Sequence, residues 1–244
     1  MAVSTFEIEF VWEKKITPDI SHLAFRVRGQ SGPFIFEPGQ FITLLLGEGS
    51  ELKRRSYSIA TIPGEGDGIE MVVSRVPGGF ASEILFNLKP GQILKALGPV
   101  GRLLLKAEPK SRYILVGTGT GIGPYRSMLP ALLQRVKAGN FSVHILLGVR
   151  TRAEAIFKSD FEEFAARDPS FQFYICYSRE QPETLSGNER SGYVQTQLES
   201  LNLNPSEDAV YLCGNPHMID QSFELLKSLS FDISDIRREK YISS

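Results

Sequence analysis

The sequence predicts two domains of different class. Residues 1–107 read as an antiparallel β domain, sandwich or barrel, and residues 108–244 as an α/β domain built on a parallel sheet. Three observations predict this. Up to about residue 105 the chain is punctuated by turn residues ("RGQSGP", "EPGQ", "GEGSELK", "IPGEGDG", "VPGG", "KPGQ", "GPVG"), with short β-branched and aromatic runs between them. From about residue 110 apolar strand-like runs alternate with amphipathic helix patterns, the rhythm of βαβ units. The change falls in "LLLKAEPKSR", residues 103–112, with no repeat or low-complexity segment on either side.

In the first domain "FITLLL", "SYSIA" and "EMVVSRV" read as strands. One helical segment interrupts them, "GFASEILFNLKPG", with Ser82 as its N-cap and Pro90-Gly91 as its stop. In the second domain four buried-type strands are each followed by a helix pattern. "YILVG" leads into Pro124–Ala138, and "SVHILLGV" into "AEAIFKSDFEEFAARD". "FQFYICYS" leads into "GYVQTQLESL", and "AVYLCG" into "HMIDQSFELLKSL".

Composition narrows the function classes. Hydrophobic residues make up 42% and charged residues 23%, as in soluble globular proteins with a sizeable core. A net charge of −1 gives no electrostatic reason for a nucleic-acid or anionic-membrane partner. The start, "MAVSTFEIEFVWEKK", lacks the layout of a signal peptide, and no apolar run approaches the roughly 20 residues of a membrane helix. A cytoplasmic, reduced setting is expected. The two cysteines, Cys176 and Cys213, read as buried packing residues and are too few to supply the four thiolates of an iron–sulfur cluster. No His/Cys/Asp group has metal spacing, so no metal is expected. His144 reads as a satisfied core or edge histidine and Trp12 as core or rim. The charges of "DFEEFAARD" read as a solvated helix face.

The loop in "LVGTGTGIGPYRSML" carries Gly117, Gly119, Gly121 and Gly123 between a strand and a helix, where backbone N–H groups and the helix dipole hold phosphate. The strict G-x-G-x-x-G spacing fails, because its third glycine falls on Ile122 or Pro124, and no Gly-Lys-Ser/Thr follows. A phosphate loop and a tight strand-to-helix turn both fit. A standard NAD site has an acidic residue about 20 residues on. Here the next strand ends instead in "LLGVRTRAE", with Arg150 and Arg152, and the third in "YSREQ", with Ser178 and Arg179. Arginine at the C-terminal ends of parallel strands suits a 2′-phosphate, and solvated strand ends fit equally. "RRSYSIA" puts Arg55 and Tyr57 on one strand face with Ser58 next to them, a set that can pair a pyrophosphate with a flat ring.

Together these stretches resemble the ferredoxin–NADP reductase superfamily, most closely the ferredoxin/flavodoxin–NADP reductases. R-x-Y-S, G-x-x-S/T ("GFAS"), "GTGTGIGP", an S-R pair and a C-G pair follow one another in the family's order over nearly the whole chain. The resemblance implies an N-terminal antiparallel β-barrel for FAD and a C-terminal α/β domain for NADP(H). It implies that Arg55 contacts the FAD pyrophosphate, that Tyr57 packs on flavin or ribitol, and that Ser58 lies near flavin N5. Gly79 and Ser82 would meet the pyrophosphate, and "VVSRV" would contact flavin through its backbone. Gly117, Thr118, Gly119, Thr120 and Gly121 would form the dinucleotide platform, and Ser178 and Arg179 would read the 2′-phosphate. Tyr193 would lie near the adenine, with Arg150 in place of the family's usual basic residue there. Cys213 and Gly214 would lie beside the nicotinamide. Glu239 matches the proton-relay acid, and Tyr241 is the candidate to cover the flavin's other face.

The activity implied is hydride transfer from NADPH to FAD, then single electrons to a ferredoxin or flavodoxin, by a monomer. The alternatives are an NAD(P)H:flavin reductase or oxygenase-system reductase of the same superfamily. A flavin-bearing subunit without turnover of its own is the alternative from another class.

Overall fold

The computed structural model describes residues 4–107, 110–180 and 184–242. Contacts divide the chain into two compact units. The first runs up to Leu104 and includes Gly123–Ser127; the second comprises Leu105–Ile122 and Met128–Ile242. The boundary expected between Ala107 and Glu108 touches residues outside those described.

The first unit is one curled six-stranded sheet. Its strands are β1 (Ser4–Thr17), β2 (Ile20–Val27), β3 (Phe41–Leu46), β4 (Lys53–Ser58), β5 (Ile69–Ser74) and β6 (Ile93–Val100). They run in the order β4-β3-β6-β1-β2-β5, every pair antiparallel. Alternation sends Ile8 and Phe10, Leu23 and Phe25, Ile42 and Leu44, and Ile69 and Met71 to one shared core. The two end strands meet where the chain leaves β4. Ala60 N–H donates to Glu70 O at 2.8 Å, and Glu70 N–H donates to Thr61 Oγ1 at 2.7 Å. Of the two architectures the turn pattern allowed, the barrel is the one formed. Trp12 sits on the rim, 39% exposed, with its ring edge-on to His22.

The helix between β5 and β6 departs from expectation. It is α1 (Phe80–Leu85), capped by Gly79 rather than Ser82, and it ends at Phe86 well before Pro90. Ser82 lies inside the first turn, buried, and its hydroxyl accepts from Val76 N–H at 2.7 Å. The cap shifts because the Val76–Gly79 turn closes on itself, Gly79 N–H to Val76 O at 2.9 Å, and so delivers the chain to the helix three residues early.

The second unit carries a six-stranded parallel sheet in the order β10-β9-β8-β7-β11-β12. The strands are β7 (Arg112–Thr118), β8 (Ser142–Val149), β9 (Phe171–Tyr177), β10 (Glu189–Ser191), β11 (Asp208–Gly214) and β12 (Ile236–Lys240). Its helices are α2 (Gly123–Lys137), α3 (Lys158–Ala165), α4 (Val194–Glu199) and α5 (Pro216–Ser228). Four strands were expected and six form. β10 has three residues, and β12, "IRREK", is a charged edge strand with one buried residue, so neither has an apolar run to announce it. α3 buries Phe161 and Phe164 and exposes Glu163, while Asp160 and Glu162, expected on a solvated face, are half-buried, Glu162 accepting from Asn188. His144 is not the satisfied histidine expected. It is half-buried on β8, its ring stacks on Tyr174 at 6.3 Å, and Nδ1 has no partner among the described residues. Burial, with Arg112 nearby, pushes it down to about 4, so it is neutral at pH 7.

Candidate cofactor and dinucleotide sites

In the first unit the R-x-Y-S stretch occupies β4. Arg55 pairs with Leu44 and Tyr57 with Ile42, so both share the core-facing side of the sheet, while Ser58 pairs with Phe41 on the other face. Tyr57 packs against the core, and burial pushes its phenol up to about 12 against the pull of the Arg55 charge. At pH 7 it is a neutral flat ring next to a cation. Ser58 is buried.

The start of α1 lies beside this strand, with Lys53 Nζ 4.6 Å above the Phe80 ring. A glycine N-cap brings no side-chain acceptor to the first-turn N–H groups of α1. Guanidinium and uncapped amides are donors that fit a flavin diphosphate, and the neutral Tyr57 ring shares the face of the guanidinium. Gly79 itself is required by packing, because a Cβ there would come within 2.9 Å of Val76 O. A second polar group lies in the same unit and has no signature in the sequence. Glu70 accepts from Arg126 at 2.7 Å and meets His22 Nε2 at 2.9 Å, and Arg126 also donates to Ala60 O. Burial works to raise the Glu70 carboxyl, but His22 and Arg126 outweigh it and hold it below the usual range.

In the second unit all six strands end on one edge, and the glycine loop opens there. Gly121 is packed so closely on β11 that a Cβ there would clash with Cys213 O. Gly119 differs: its φ is +52° and the space a Cβ would take is open. One glycine lets the loop press on its neighbour strand, and the other turns its backbone toward open space, as a phosphate cradle requires. Thr118 and Thr120 flank it, half-buried. Thr118 Oγ1 accepts from Asn215 N–H at 2.8 Å, tying the loop to the start of α5.

Cys213, Gly214, Glu239 and Tyr241 come together at the same edge, because β12 pairs Cys213 with Glu239 and Tyr241 N–H donates to Gly214 O at 2.8 Å. Burial, aided by the Glu239 charge, raises the Cys213 thiol well above its usual value, although the Tyr241 side chain hydrogen-bonds to it. It is a neutral thiol, without thiolate reactivity.

The three arginines at the ends of β8 and β9 are unequally engaged. Arg152 donates to the buried Glu189 and to Thr184 O, both at 2.7 Å, and lies over the Tyr177 ring. Glu189 also accepts from Tyr177, Lys158 and Ser186 N–H; these bonds outweigh its burial and bring its carboxyl to about 2. Arg150 pairs with Glu154 at 3.0 Å. The Arg179 guanidinium has no hydrogen bond or ion pair among the described residues, while its backbone is pinned by Arg179 N–H to Arg150 O at 3.0 Å. The Ser178 hydroxyl donates to Val149 O at 3.2 Å. Tyr193 stands at the start of α4, 61% exposed. The pairing of Arg152 with Glu189 is invisible in the sequence, since 37 residues separate the partners.

An antiparallel barrel followed by a parallel sheet with a glycine loop at its strand ends is the architecture of flavin- and nicotinamide-dinucleotide-dependent oxidoreductases. Residues 7–104 match the oxidoreductase FAD-binding domain and residues 115–223 the oxidoreductase NAD-binding domain. The chain belongs to the ferredoxin–NADP reductase superfamily. It is 34% identical over 229 residues to ferredoxin–NADP reductase B of Sorangium cellulosum, covering 91% of each chain. It is 29% identical to the toluate 1,2-dioxygenase electron transfer component of Pseudomonas putida, covering 92% of this chain but 64% of that protein's length. Among solved structures, the cytochrome P450 reductase of Amycolatopsis superposes with a TM-score of 0.85 at 27% identity, covering 98% of this chain and 70% of that one.

Proposed function

We propose that this chain takes electrons from NADPH through FAD and passes them to a ferredoxin or flavodoxin. The observation that carries the choice of NADPH is Arg179, a cation with no partner among the described residues at the ligand-binding edge of a parallel sheet. The choice of acceptor is supported by the similarity to ferredoxin–NADP reductase B over 91% of both chains.

FAD, when bound, supplies the hydride acceptance and the one-electron release that no side chain provides. The protein's residues bind and orient. Arg55 and the amides after Gly79 would hold the diphosphate, Tyr57 would present a neutral ring to the flavin, and Ser58 would offer a hydroxyl. The loop Gly117–Gly121 holds the dinucleotide phosphates, Arg179 with Ser178 and Arg150 the 2′-phosphate, and Tyr193 the adenine. The neutral Cys213 thiol and Gly214 shape the nicotinamide pocket. Glu239 holds a proton-accepting carboxylate beside them, and Tyr241 supplies a ring at the same strand end. We read residues 1–107 as the FAD domain and 108–244 as the NADP(H) domain of a cytoplasmic monomer.

A second reading, reductase of an oxygenase system, is favoured by the similarity to the toluate dioxygenase component. Reduction of cytochrome c by NADPH, with and without added ferredoxin or flavodoxin, tests the proposal. Rates that rise steeply with either carrier support it, and rates indifferent to both contradict it.

A further inference from the structure

Arg150 is held differently from its neighbours. Its side chain is 56% exposed, and its Nε lies 3.0 Å from Oε1 and 3.3 Å from Oε2 of Glu154. The Glu154 carboxylate is fixed: its side chain is only 18% exposed, and it also accepts from the Arg150 N–H at 3.1 Å. The turn beneath it is closed by Glu154 N–H to Thr151 O, at 3.1 Å. A carboxylate anchored to backbone thus holds a guanidinium at the rim, and the Arg150 carbonyl accepts from the Arg179 N–H.

We propose that Glu154 is a specificity-determining positioning residue: it competes with the 2′-phosphate of the dinucleotide for Arg150, and so reduces discrimination between phosphorylated and unphosphorylated coenzyme. This rests on reading the Ser178–Arg179 end of β9 as the 2′-phosphate position. A dianionic phosphate must draw Arg150 off Glu154 before it gains the forked donors, and it sits near an uncompensated carboxylate once it has done so. A 2′-hydroxyl gives Arg150 no reason to leave, so the competition acts on the phosphorylated coenzyme alone.

The test is calorimetric titration of the full chain, supplied with FAD, with 2′,5′-ADP and separately with 5′-AMP. The variants are Glu154→Gln, Arg150→Ala, the two combined, and Arg179→Ala. Glutamine keeps an acceptor for the Arg150 N–H and removes only the charge. Glu154→Gln is expected to tighten 2′,5′-ADP about two- to fivefold, the effect of releasing an exposed ion pair, and to leave 5′-AMP unchanged. In the Arg150→Ala background the gain is expected to vanish. No gain, or a gain that persists without Arg150, overturns the proposal. If Arg179→Ala weakens 2′,5′-ADP while Glu154→Gln is silent, the 2′-phosphate position stands and only the competition fails. If neither Arg179→Ala nor Arg150→Ala weakens it, the 2′-phosphate position itself is wrong and the proposal falls with it.

Discussion

Both edges of the parallel sheet carry paired arginines, but the edge where strands end also carries Arg179, which has no partner among the described residues. At the edge where strands begin, each named charge has a partner. Arg112 grips the fully buried Asp208 with two bonds of 2.7 and 2.6 Å and also donates to Leu201 O and Asn202 O. Arg135 donates to Tyr113 Oη and Lys106 O, and Lys106 and Lys110 both meet Asp235. A cavity of about 510 Å³ opens at this edge, yet Arg112, the cation in its lining, is already paired. At the edge where strands end, Arg179 has no partner among the described residues, Gly119 faces open space, and Tyr193 is exposed. The proposed 2′-phosphate position therefore rests on a cation without a partner among the described residues, held on a fixed backbone, and not on the concavity.

The strongest way to break that contrast is Arg112→Ala. It strands the Asp208 carboxylate in the interior, and a loss of about 3–5 kcal/mol is expected by urea unfolding, with the NADPH-to-NADH preference unchanged. A change in preference would place ligand chemistry at the wrong edge. Glu189→Gln comes next, at about 2 kcal/mol, because several charged hydrogen bonds weaken at once. Its pH dependence has a definite sign. The Glu189 carboxyl is held at about 2 against an ordinary 4.5, so its contribution is whole above about pH 4.5 and fades as the pH falls toward 2. Unfolding curves of the variant and the wild type should converge on acidification, and a gap that stays constant would refute the ion-cluster role.

Arg179→Ala should leave stability within about 0.5 kcal/mol while raising KM for NADPH on the order of tenfold or more, with little change for NADH. Equal effects on both coenzymes would remove the 2′-phosphate role. Smallest is Gly119→Ala, which meets no atoms and costs only the strain of its +52° φ, about 1 kcal/mol by thermal unfolding. A larger loss would mean the loop is packed rather than open.

The fold was legible where hydrophobic period and turn residues were strong: the βαβ rhythm, the four apolar strands, and the barrel's Gly/Pro turns. It was illegible where pairing rather than composition makes an element, as in β12, whose "IRREK" is held by its ladder to β11. Ser82 misled because a helix-capping residue type and a buried loop-tying hydroxyl look identical in sequence. The glycine loop and the strand-end arginines were legible as features that suit a phosphate, with a tight turn and solvated strand ends fitting equally. Which arginine lacks a partner among the described residues depends on Glu154 and Glu189, one 4 and the other 37 residues from its arginine, and no local pattern carries that.

The most direct measurement is an anaerobic visible-absorption titration of the purified protein with NADPH and with NADH, repeated on Arg179→Ala. The expected result is a bound-flavin band that NADPH bleaches at much lower concentration than NADH, with the gap closing in the variant. A protein that stays colourless when FAD is added, or a band that both coenzymes bleach alike in the wild type, would contradict a flavin reductase that selects NADPH through Arg179.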